Sequence, residues 1–104
     1  MPLEKTTLKE ILYTVFGKQF PISGGYGNTI NNPIVVHLDD PNNYAHITYS
    51  IIKHIAQLRN VSWKIIDQEL IEHHGKHIDK IQIETEEKTE DQVITQTENY
   101  YFCK

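Results

Sequence analysis

The sequence predicts an α+β fold: a two-layer sandwich in which a mostly antiparallel four-stranded sheet packs on one long helix and one short N-terminal helix. Three observations predict it. Asp40 to Asn60 carries the longest helical pattern, with Tyr44, Ile47, Ile51, Ile55 and Leu58 at steps of three and four. Val61 to Thr85 carries two β-rich segments around His74-Gly75. The length, 104 residues, fits one domain (1–104) that can bury a core without metal or disulfide support.

In chain order, Thr7-Leu8-Lys9-Glu10 matches a capping box, in which threonine and glutamate satisfy otherwise free backbone N–H groups. Leu8, Ile11, Leu12, Val15 and Phe16 then form one apolar face, and Gly17 is placed to stop the helix. Lys18 to Asn32 is too rich in glycine and asparagine for a helix or a central strand. Phe20 and Ile22 make at most a brief extended contact around Pro21. The β-branched run Ile34 to Leu38 reads as a buried strand.

The long helix follows, with Asp40 as its cap, Pro41 at its first position and Asn60 as a left-handed stop. A second stripe, Ala45, Tyr49, Ile52 and Ala56, makes it apolar on two sides. In the hairpin, a His74-Gly75 loop makes paired positions sum to 149. Glu69 then faces Lys80, Glu72 faces His77, Ile71 faces Ile78 and Ile66 faces Ile83. The consecutive Ile65-Ile66 breaks the alternation and suggests a bulge or burial on both faces. An acidic loop, Glu86 to Asp91, leads to a last strand, Gln92 to Phe102. The expected order is α-β-α-β-β-β, with Ile34 to Leu38 joined to the antiparallel meander through the long helix.

The net charge is −4, which disfavours a nucleic-acid backbone as partner. Glu84, Glu86, Glu87, Glu90 and Asp91 cluster late and would suit a basic protein partner, although a solvated loop accounts for them too. No run approaches the ~18 apolar residues of a membrane span. Cys103 has no second cysteine to pair with, and Met1 to Lys5 opens no signal-peptide core, so the expectation is a soluble cytoplasmic protein without membrane contact.

Two stretches could carry chemistry. Ser23, Gly24, Gly25, Tyr26, Gly27 and Asn28 form a glycine-rich loop whose N–H groups could cradle an anion. The loop lacks the lysine of a P-loop and runs into a strand, so a structural loop is the preferred reading. His37, on the neighbouring strand, could face it and act as a base toward Tyr26 or Ser23. His73, His74 and His77 surround the hairpin tip without a zinc-ligand pattern. His54 borders the apolar stripe, where a satisfied histidine is commoner than a catalytic one. No cofactor and no metal site is expected.

The reading is therefore a non-enzymatic protein-interaction or binding module, in one variant an acidic inhibitor or immunity-type partner. A homodimer is expected, because apolar positions on both helix stripes and both hairpin faces exceed what so few elements can cover. The alternative is a small-ligand-binding domain or minor enzyme with its site at the Gly24–Asn28 loop and His37. A cavity receiving both Tyr26 and His37 would distinguish them.

Overall fold

The computed structural model describes residues 7–38 and 41–104. Its elements are α1 (Leu8–Phe16), β1 (Ile22–Gly24), β2 (Ile34–Val36), a 3-10 turn (Pro41–Asn43), α2 (Tyr44–Arg59), β3 (Ser62–His73), β4 (Lys76–Lys88) and β5 (Val93–Cys103). The start of α1 is held by Thr7, whose hydroxyl accepts from the Glu10 amide at 3.2 Å. Gly17, at φ 67°, closes it. The proposed Asp40 cap lies outside the described residues. Pro41 opens the 3-10 turn rather than the α-helix, which starts at Tyr44. Asn60 ends it in the left-handed conformation, at φ 55° and ψ 46°.

The sheet has five strands, not four, and is mixed, since one of its strand pairings is parallel. Its order is β1-β2-β5-β4-β3, with β2 and β5 parallel and the other neighbours antiparallel. The added strand is the short extended contact around Ile22, which pairs with Val36 while Gly24 pairs with Ile34. Glycine is required at that position: φ is +85°, and a Cβ would lie 2.7 Å from the Pro33 carbonyl oxygen. β2 itself ends at Val36 instead of Leu38, although the His37 amide still donates to Pro21 at 2.7 Å.

The β3–β4 hairpin turns at His74-Gly75, both at positive φ (50° and 75°), as a two-residue loop between twisted strands requires. Glu69 faces Lys80, Ile71 faces Ile78 and Glu72 faces His77, as the sum of 149 demands. Beyond Asp67 the register slips by one, so Ile65 rather than Ile66 opposes Ile83. The cause is a bulge at Ile66. It turns Ile65 to the helix side with Ile81 and Ile83, so of the two readings of Ile65-Ile66 the bulge holds rather than burial on both faces, and Ile66 is left 44% exposed. The acidic loop is also shorter than expected. Glu86 and Glu87 belong to β4, and the turn is closed by Thr89 and Gln92 through amide-to-carbonyl and hydroxyl bonds.

One core lies between the helices and the sheet, centred on Leu8, Leu12, Ile22, Ile34, Ile51, Ile52, Ile81, Ile83 and Phe102. The surplus of apolar surface foreseen from the sequence is mostly covered within the chain. Ile51, Ile52 and Ala56, from both helix stripes, are buried. On the opposite sheet face Ile78 and Cys103, which pair across β4 and β5, are buried as well. The end of the β1–β2 loop reaches that corner, where Asn31 Oδ1 lies 3.1 Å from His73 Nε2.

The C-terminal end of α2 is tied to β5 by a two-pronged ion pair. Arg59 Nη1 and Nη2 donate to the Glu98 carboxylate at 2.6 and 2.7 Å, and the Thr85 hydroxyl donates to the same carboxylate at 3.0 Å. Hydrogen bonding from Arg59, then from Thr85, outweighs burial and lowers the Glu98 pKa. A depressed carboxylate stabilises the fold above its unfolded pKa of about 4.3, and that stabilisation is lost as pH falls through the folded value. Because Arg59 is partly solvated, we expect the pair to contribute only ~1 kcal/mol. In urea unfolding, the wild type should exceed Glu98→Gln by about that amount at pH 7. The gap should narrow below pH ~4. A gap independent of pH would show that the ionised carboxylate is not the source.

Candidate functional site

The glycine loop is built by its own backbone. The Gly25 amide donates to Pro33 at 3.0 Å, and the Gly27 amide donates to Asn32 at 2.9 Å. The Gly27 carbonyl accepts from the Tyr101 amide at 2.7 Å, which fastens the loop to β5. Gly27 has φ +76°, and a Cβ there would lie 2.8 Å from Ile34 Cδ1 and 3.1 Å from the Tyr101 carbonyl oxygen. Two N–H groups that could have cradled an anion are thus spent on the loop itself. The glycines serve close approach and left-handed geometry.

The residues singled out from the sequence separate into two groups. Gly24, Gly25, Tyr26 and Asn28 line a cavity of about 510 Å³ that extends past Asn31 and Val35 to Lys76 and Cys103. Ser23 and His37 do not line it. They meet each other instead, with Ser23 Oγ 2.6 Å from His37 Nε2 on the exposed side of the β1–β2 hairpin. A serine–histidine contact of this length is the first half of a nucleophile–base pair. Among the described residues nothing orients the second ring nitrogen, so the contact serves as a cross-strand tie. Tyr26 and His37 therefore share no cavity.

A second cavity, of about 600 Å³, adjoins the first at Val35, Lys76 and Cys103 and is lined further by Tyr44, Leu70, His77, Asp79 and Lys104. Lys104 Nζ sits 4.7 Å from the centre of the Tyr44 ring. The Tyr44 hydroxyl is buried and meets no hydrogen-bond geometry. Burial, followed by the nearby Asp79 carboxylate, raises its pKa and keeps it protonated. Burial also pushes the Cys103 thiol up, against the opposing charge of Lys76, so it is a poor nucleophile.

His54 serves the structure. His54 Nδ1 lies 2.7 Å from the Ser50 carbonyl oxygen and therefore carries the proton. Phe16 and Phe20 meet its ring edge-on. Among the described residues no group of three or more histidine, cysteine, aspartate or glutamate side chains could hold a metal ion. Nor is any helix among them long and apolar enough to cross a membrane.

The feature that sequence reading missed is the outer edge of β3. Leu70 is 63% exposed and Ile66, in the bulge of the same strand, is 44% exposed, and on α2 Tyr49 donates to Gln68 Oε1 at 3.3 Å. Alternation along the hairpin gives Leu70 the same face as the buried Ile81 and Ile83. A signal was present: Gln68 and Glu72 flank Leu70 on that same face, so the core does not extend there. No family model, curated protein or solved structure matches the chain.

Two substitutions test these assignments. Gly75→Ala introduces only left-handed strain into open space and should cost ~1–2 kcal/mol. Gly27→Ala adds the clash with Ile34 and the β5 backbone and should cost clearly more in the same urea titration. Equal losses would mean that the loop is not seated on β5. Tyr44→Phe should leave stability unchanged or raise it by up to ~1 kcal/mol, since the buried hydroxyl lies beside the Asp79 carboxylate without good hydrogen-bond geometry. A loss of that size would reveal a partner for the hydroxyl.

Proposed function

We propose that this chain is a non-enzymatic protein-interaction module that meets its partner along the outer edge of β3. One observation carries the reading. β3 is the last strand of the sheet, 12 residues long, and carries Leu70 at 63% and Ile66 at 44% exposure. The outer row of backbone N–H and C=O groups on such a strand is a template for another strand. The opposite edge, β1, is only 3 residues long and offers no comparable surface. The bulge at Ile66 and the carboxylates of Asp67, Glu69 and Glu72 guard β3 against indiscriminate pairing, so a partner must match their charge pattern. An acidic inhibitor or immunity-type role is the narrower form, in which those carboxylates meet a basic protein partner. A single, buried thiol suits a reducing compartment, and the proposal places the module in the cytoplasm.

The second reading, a small-ligand-binding domain, is favoured by the cavity that Gly24, Gly25, Tyr26 and Asn28 share with Lys76. Its mark would be a rise in melting temperature with a nucleotide or phosphate that Tyr26→Ala abolishes.

Affinity capture from extract with the wild type and with Leu70→Lys tests the first reading, followed by amide chemical-shift mapping with the captured protein. We expect a partner retained by the wild type alone, with shifts concentrated between Ile66 and His73. Retention unaffected by Leu70→Lys, or shifts confined to the Tyr26 loop, would overturn it.

A further inference from the structure

We infer that the β3 edge takes a second copy of this chain, paired antiparallel about a two-fold axis with Leu70 opposite Leu70 of the other copy. This rests on reading β3 as the interaction edge and specifies its occupant.

The argument is one of charge and facing. Beyond the bulge, Gln68, Leu70 and Glu72 lie opposite Ile81, Asp79 and His77, on the helix side of the sheet. Asp67, Glu69, Ile71 and His73 lie on the other face. A two-fold axis normal to the sheet keeps each face on its own side, so the pairing must centre on a residue. Centring on Asp67, Glu69 or Glu72 sets a carboxylate against its own image. Centring on Gln68 sets Asp67 against Glu69, twice. Like charges directly opposed are destabilising, which removes these registers.

Centring on Leu70 sets Glu69 against Ile71, Gln68 against Glu72 and Asp67 against His73, with no like-charge pair. It uses the whole regular stretch from Asp67 to His73 and covers the most exposed large apolar residue among the described residues. Centring on Ile71 also avoids repulsion, but it pairs only Glu69 to His73 and places Leu70 against a carboxylate. The bulge at Ile66 throws the strand out of phase just beyond Asp67, which ends the pairing there. The three acidic residues that protect the edge therefore also select one self-complementary register.

Light scattering across micromolar concentrations, combined with cysteine cross-linking, tests the inference. The wild type should reach twice the chain mass of 12.2 kDa, and Leu70→Lys, which sets two ammonium groups against each other, should remain at 12.2 kDa. Leu70→Cys should cross-link between copies under mild oxidation, because directly opposed Cβ atoms lie about 4.5–5.5 Å apart. Ile66→Cys, with no counterpart opposite, should not. A wild type that stays at the single-chain mass overturns self-pairing while leaving another partner for β3, which the capture experiment decides separately. A dimer that survives Leu70→Lys, or that cross-links through Ile66 and not Leu70, overturns the register.

Discussion

The two halves of this chain meet in the sheet over a short seam. β2 and β5 run parallel with Ile34 beside Phe102 and Val35 beside Cys103, and just beyond β2 the Gly27 carbonyl receives the Tyr101 amide. Ile34 and Phe102 are both completely buried. Without this seam, α1 and the β1–β2 hairpin would have no sheet to complete, and α2 would cover a meander of three strands alone. Burying two such side chains is worth roughly 1.5–3 kcal/mol each, a large share of a small domain's margin. The glycine loop acquires its meaning here: it brings backbone against β5 at a point where no side chain fits.

The seam also determines which surfaces remain open. With β2 and then β1 on the far side of β5, one sheet edge shrinks to a short strand, and the long edge is left to β3. The loop that seats Gly27 continues over the corner holding Ile78 and Cys103, so that apolar surface is closed off within one chain. What stays uncovered is the stretch of β3 past the bulge, where Leu70 extends beyond the core. Stability and binding thus draw on different residues. Substitutions at Leu70 should leave the fold largely intact, and those at Gly27 should not.

Local patterns made the helices and the hairpin legible. Thr7 with Glu10, Gly17 and Asn60 mark helix ends by short-range chemistry, and His74-Gly75 sets a register through turn geometry. β1 was hard to see because its pairing partner lies across the glycine loop and its own sequence, Ile22 to Gly24, carries no alternation. The slip at Ile65-Ile66 was visible only as an ambiguity, since two adjacent isoleucines do not say which one turns inward. The candidate site was less legible still. Ser23 and His37 do meet, but strand pairing directs them away from the cavity that Tyr26 lines. The exposure of Leu70 was not legible because period-two alternation predicts a face and not how far the covering helix reaches.

The central claim is that both halves of the chain form one cooperative unit through the β2–β5 seam. Native-state hydrogen exchange at low denaturant tests it most directly, because it compares opening free energies along the backbone. The account predicts that the amides of Gly27, His37 and Tyr101 open with the same free energy as the central amides of β4. If Gly27 and His37 exchange through a cheaper opening while β4 and β5 stay protected, the N-terminal hairpin is a separate appendage and the account is wrong.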